Sequence, residues 1–151
     1  MSATASLREE HAVILQTLDV LEGLAGRAAD DVDPLAWPRL LAWLGSFADE
    51  RHHAKEERLL FPALEAAGLP RDGGPIAVML EEHEAGRALV RAMGEAPVAE
   101  RRRLAREYAC LLRAHIAKEN DVLFELADAL LGPREVERLL RAYEAADLAT
   151  I

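Results

Sequence analysis

A single cysteine, Cys110, excludes a disulfide framework and a cysteine-rich zinc site. Basic residues are outnumbered, 18 against 27 acidic, which leaves a formal charge of −9 over 151 residues. Such a surface repels phosphate backbones and anionic lipid, so neither nucleic acid nor membrane is an expected partner. No apolar run approaches the ~20 residues of a membrane span. The N-terminal stretch has acids where a secretory signal needs bases, and no cleavage site follows an apolar run. A cytoplasmic location is the expectation. Aromatic residues are scarce at 5%, and no segment alternates strictly between apolar and polar, so no strand is expected.

What remains is rich in Ala, Leu, Glu and Arg, a helical composition. The length fits one domain, residues 1–151, able to bury its own core. Ser6 and Glu9 read as a capping box opening a first helix, whose stripe Leu7, His11, Ile14, Leu18 and Leu21 has helical spacing. Asp33-Pro34 reads as the start of a second helix running to about Ala67, stopped by Gly68 and kinked near Pro62. Pro75 opens a third helix ending near Gly94. A fourth runs from about Val98 to Leu131, where Gly132-Pro133 stops it, and a shorter fifth follows from Arg134 to about Asp147. The fold class expected is all-α: an antiparallel up-down four-helix bundle with a short additional C-terminal helix.

Two decapeptides align without gaps, HHAKEERLLF at 52–61 and HIAKENDVLF at 115–124. A shorter match accompanies them, Glu9-Glu10-His11 with Glu81-Glu82-His83. The chain thus reads as two copies of a helix pair. One helix of each pair gives a lone histidine and the other gives His-x-x-x-Glu. Residues four apart share a helix face, so each pair can ligate one ion, or its carboxylate can bridge two. The expected ligands are His11, His52, Glu56, His83, His115 and Glu119. Imidazole and carboxylate without thiolate suit iron, manganese or zinc. With both glutamates bridging, each ion has about four protein donors and about two positions left, for a bridging oxide and a small exogenous ligand.

The register on the second helix has an alternative. His53-x-x-x-Glu57 has the same spacing as His52-x-x-x-Glu56, rotated by about 100°. The repeat favours His52/Glu56, because His53 aligns with Ile116 and Glu57 with Asn120. His53 is then expected at a helix interface or at the rim of the site, with Glu57 nearby. Tyr108, two turns before His115, is expected to pack near the ligands, and Gly86, one turn from His83, to leave space for a ligand or for a close helix. Cys110 reads as a small core residue, Trp37 and Trp43 as packing anchors, and Arg101-Arg102-Arg103 as a solvated face.

The stretches EEH at 9–11, HHAKEERLLFP at 52–62, EEHE at 81–84 and HIAKENDVLF at 115–124 resemble the hemerythrin-like HHE cation-binding proteins. The resemblance spans about residues 7 to 130. It implies a bundle holding a non-haem Fe–O–Fe centre with two iron ions. Its ligands fall on His11, His52, Glu56, His83, His115 and Glu119. Oxygen-carrying hemerythrins have a further ligand histidine where this chain has Arg87, and an aspartate where it has Asn120. The chain therefore resembles the bacterial members linked to nitric oxide handling, iron–sulfur repair and redox or oxygen sensing. The expected function is binding or sensing of O2, NO or peroxide. The alternative is a redox enzyme that reduces NO or peroxide, or donates iron in cluster repair, with an electron-donor protein as partner. Binding is preferred, because the sequence offers no dedicated proton relay, flavin site or electron-partner docking patch.

Overall fold

The computed structural model describes residues 1–150. Among them every regular element is helical. Helix α1 is Ala5–Ala25, α2 is the continuous run 36–66, α3 is Pro75–Glu95, α4 is the run 98–130 and α5 is Pro133–Ala149. One 3-10 turn, Ala29–Asp31, lies between α1 and α2. None of the described helices is long and apolar enough to cross a membrane.

The helix ends follow local chemistry, with two departures from the sequence reading. Gly68, at φ 107°, ends α2: its N–H reaches the Glu65 carbonyl at 3.0 Å and the Leu69 N–H reaches that of Leu64 at 2.9 Å. This pair of bonds needs a left-handed residue, which glycine adopts without strain. Pro75 and Pro133 open α3 and α5 after extended glycines. The capping box at Ser6 does not form. Helix α1 starts two residues earlier, with Thr4 in place of Ser6 as the N-cap; the Ser6 hydroxyl is buried without a partner, and the Thr4 hydroxyl donates to Asp128 at 3.0 Å. That bond ties the start of α1 to the end of α4. Asp33 organises the turn ahead of α2 through the Leu35 N–H at 2.8 Å, and the helix begins only at Ala36.

Long α2 and α4 are not uniformly α-helical. Leu44–His53, Glu56–Leu60 and Glu119–Leu123 are π-helical. Both repeated glutamates, Glu56 and Glu119, open such a stretch. Pro62 follows the first, as the kink reading anticipates, but the second is followed by Glu125 in the equivalent place. Proline is therefore not the common cause. Wide turns of this kind are frequent where a helix presents functional side chains.

Two apolar clusters lie on either side of a polar layer. One contains Leu7, Leu60, Phe61, Ile76, Met79, Leu123 and Phe124, and the other Ile14, Leu18, Leu44, Met93, Tyr108 and Leu112. Each of the four long helices crosses from one cluster to the other with its polar residues in between: His11 between Leu7 and Ile14, His52 to Glu56 between Leu44 and Leu60, His83 between Met79 and Met93, His115 to Glu119 between Leu112 and Leu123. Helix α5 covers the first cluster with Val136, Leu139 and Tyr143.

Three smaller readings change. Cys110 is exposed, not part of the core. The arginine run is not simply solvated. Arg101 donates to the Met93 and Ala96 carbonyls at 2.9 Å and lies over the Trp37 ring, while Arg102 reaches the Arg27 carbonyl at 2.5 Å. These guanidiniums satisfy orphan carbonyls where α3 and α1 end. Trp37 is buried, and Trp43, half-buried, stacks on Phe47.

Candidate metal centre

All five histidines of the chain lie in the polar layer with two glutamates. None of the seven is more than 4% exposed. They form two groups, His53, Glu56, His83 and His115, and His11, His52, Glu56 and Glu119, with donor atoms in each group within 4.8 Å of one another. Glu56 belongs to both.

The imidazoles are held by one recurring device. Nδ1 of His52 donates to Glu10 at 3.0 Å, and Nδ1 of His115 donates to Glu82 at 3.0 Å. Nδ1 of His83 donates to Glu57 at 2.7 Å, and Nδ1 of His11 bonds Asn120 Oδ1 at 2.7 Å. His53 Nδ1 stands 3.6 Å from Asp49. Occupying Nδ1 in this way selects the tautomer whose Nε2 lone pair is free, and fixes the ring plane. The device obeys the repeat: Glu10 corresponds to Glu82, and Glu57 to Asn120. Lys55 holds Glu10 at 2.7 Å and Lys118 holds Glu82 in the same way.

Most of the inward atoms are without partners, the His11 Nε2–Glu119 Oε1 hydrogen bond at 2.9 Å being the exception. Nε2 of His52, His83 and His115, both oxygens of Glu56, and Oε2 of Glu119 are buried with no hydrogen bond. Each such orphan costs about 1–3 kcal/mol in a dry interior. The facing nitrogens and oxygens are separated by 2.9 Å for His11 and Glu119, 3.2 Å for His83 and Glu56, and 3.6 Å for both His52–Glu56 and His115–Glu119. Donors about 2.1 Å from a common cation have edges of about this length. The donor set therefore fits a metal ion in each group.

Electrostatics point the same way. Burial pushes His52 down to about 4, and lowers His53 and His115 as well, so these rings are neutral, the form that binds metal. Burial and then the charge of Glu119 push Glu56 well up. Two buried carboxylates this close keep a proton between them unless a cation takes its place. The outer carboxylates behave oppositely. Burial alone would raise Glu10, but His52 and Lys55 together outweigh it and hold it below the usual range. Glu57 is held low by His83 and Arg87 in the same manner.

Histidine 53 is the main departure from the sequence reading. It sits in the cluster, not at a helix interface or rim, and stacks on His83. The two registers were not exclusive. Glu56 is four residues after His52 and three after His53, and both spacings fall on one helix face, so Glu56 lies between the two rings. Glu57 does not face inward; it binds His83 Nδ1 and the Arg87 guanidinium, the latter at 2.5 Å. Tyr108 is buried, and burial followed by the Asp49 charge raises its hydroxyl, which stays protonated. With Asp49, His53, Gly86 and Arg87 it lines a cavity of about 200 Å³. A Cβ on Gly86 would sit 3.6 Å from Tyr108 and Leu112, an ordinary contact, so Gly86 is not required for close packing. The roles of Glu10, Glu82, Asp49, Lys55 and Lys118 were not read from sequence. Their signal was present as the glutamate before each lone histidine and the lysine before each repeated glutamate.

The model of the hemerythrin HHE cation-binding domain matches residues 2–127. The chain belongs to the hemerythrin HHE cation-binding family. No curated protein and no solved structure gives a significant match. Within this hemerythrin domain the place of the oxygen carriers' further histidine is Arg87, which is consumed by Asp49 at 2.7 Å, by Glu57 and by Glu84. His53 supplies an imidazole to the same group from the neighbouring helix. The buried His/Glu cluster is thus able to hold the cation that the family name implies.

Proposed function

We propose that this hemerythrin domain holds two iron ions, one in each group, with Glu56 and Glu119 between them, and that it binds or senses a small ligand such as O2, NO or peroxide. The carrying observation is the set of inward, unpartnered Nε2 and carboxylate atoms around a glutamate shared by both groups. Bound iron would supply redox chemistry and coordination positions open to a small ligand. Manganese or zinc would fit the same donors. The protein's own part is to keep the rings of His52, His53 and His115 neutral, to orient the ligand rings through their Nδ1 partners, to exclude bulk water with an apolar cluster on each side, and to leave an approach from one side. The cavity of about 200 Å³ beside His53 offers that approach. The alternating order in which the helices cross the layer supports an antiparallel up-down four-helix bundle, with α5 added. The lone exposed cysteine is in keeping with a reducing, cytoplasmic compartment.

Binding is favoured over catalysis because two of the polar groups at the cavity, Tyr108 and Arg87, are a protonated phenol and a cation paired with Asp49 and Glu57. Neither is poised to move a proton. Titrating the iron-loaded, reduced protein anaerobically with NO, and separately with O2, tests the reading. A stable, reversible spectral adduct is expected. Sustained consumption of NO or peroxide in the presence of an electron donor would instead favour the reductase alternative.

A further inference from the structure

Lys55 is a buried cation, 3% exposed, on the helix that carries His52, His53 and Glu56. Its ammonium donates to Glu10 Oε2 at 2.7 Å and to Asp147 Oδ1 at 2.7 Å. Glu10 uses its other oxygen to accept from His52 Nδ1. Arg51 completes the cluster, with its Nε 3.6 Å from Glu10 and 3.4 Å from Asp147. A continuous chain of charge-assisted bonds therefore runs from α5 through α2 and α1 to an imidazole of the site.

The internal repeat shows that this chain is an addition. On the other side Lys118 holds Glu82, and Glu82 holds His115, but Lys118 is 46% exposed and has no second carboxylate among the described residues. Only the His52 side is extended to α5, and α5 lies beyond residue 127, where the family match ends. The apolar anchors of α5 are Val136, Leu139 and Tyr143, in its first two-thirds. Further along, α5 offers Ala142, Ala146 and Ala149 to α2 across a cavity of about 350 Å³. The last turns are thus held by the Asp147–Lys55 bridge more than by packing.

We infer that Asp147 and Lys55 are positioning residues for the metal centre, and that through them docking of the end of α5 and cation binding at His52 are coupled. The inference rests on reading the cluster as a metal site. Without Asp147 the buried ammonium is left with one carboxylate, an expensive state that it relieves by turning outward. Glu10 then loses the group that holds it against His52. By linkage the coupling is reciprocal: a cation that fixes His52 also fixes Glu10 and Lys55, and strengthens the seat of Asp147.

The test is amide hydrogen exchange over residues 133–150, with and without added Co2+, in the wild-type chain, in D147N and in D147E. Bound Co2+ per chain and its affinity are measured on the same samples. In the wild type, loading is expected to slow exchange in the last turns of α5. In D147N that gain disappears and Co2+ affinity falls by up to about tenfold, the lower end of the cost of losing Glu10 itself as the outer partner of His52. D147E restores both. An α5 that merely loosens in D147N, with Co2+ affinity unchanged, overturns the proposal, as does an undiminished metal-dependent gain. A wild type that binds Co2+ with no change in α5 overturns it while leaving the metal site intact. A wild type that binds no Co2+ overturns the site reading and the coupling together.

Discussion

The imidazole of His53 stacks on that of His83, with ring centroids 3.9 Å apart and planes 20° from parallel. Both belong to the group completed by His115 and Glu56. The consequence is specific. His53→Ala should reduce bound metal as much as His115→Ala does, because each removes one donor from the same ion. Metal per chain by elemental analysis of the purified variants decides it. A His53→Ala protein with wild-type content would return His53 to the rim.

Glu56 is the one residue common to both groups. Glu56→Ala should therefore empty both positions, whereas His11→Ala should weaken only the group of His11, His52 and Glu119. The predicted outcome is close to no metal for the first variant and a retained ion for the second. Equal stoichiometry in the two would show that the groups do not share a ligand. Apo Glu56→Gln should still fold, since it keeps the shape and removes a carboxyl that burial already keeps protonated.

The Nδ1 partners predict affinity rather than stoichiometry. Glu57→Ala frees the His83 ring and leaves Arg87 with one fewer carboxylate. A loss of about 10–100-fold in metal affinity is expected, with the number of sites unchanged at saturation. Competition against a chelator of known affinity measures it. No change in affinity would mean that packing between Phe61 and His53 alone holds the His83 ring.

The apo protein should lose stability on acidification. His52 titrates near 4 in the folded chain against 6.5 for a free ring, and His53 and His115 are shifted in the same direction. Between those values the unfolded chain binds more protons, so stability is full above about pH 6.5 and falls toward pH 4. Glu56 acts with the opposite sign: raised by burial, it adds stability while protonated and loses it as pH rises through its folded value. The lowered histidines outnumber the one raised carboxyl, so a net loss of stability is expected from about pH 6.5 to about pH 4.5. Thermal melts in a chelator should show a falling Tm over this range. A rising Tm would mean that Glu56 dominates.

The internal repeat makes most of the buried His/Glu cluster legible, because it sets the same histidine and glutamate in both halves. Helix ends marked by Gly68, Pro75 and Pro133 were legible for a local reason, since a backbone conformation there needs one residue type. His53 lies outside a pattern built on spacing four alone, because Glu56 is three residues after it and spacing three falls on the same face. The π-helical stretches carry no composition signal. The role of Asp147 is hidden for another reason: it acts on a residue of a different helix, at a separation that no local pattern encodes. Ser6 failed as a cap because a distant residue, Asp128, took Thr4 and set the start of α1.

The central claim is a pair of cation positions joined by Glu56. Its most direct test is metal content after anaerobic loading of the purified apo chain with Fe2+ and removal of excess, with the Glu56→Ala variant alongside. Two iron ions per chain in the wild type, one for each group, and close to none in the variant are predicted. One ion per chain, or wild-type loading that survives Glu56→Ala, would contradict it.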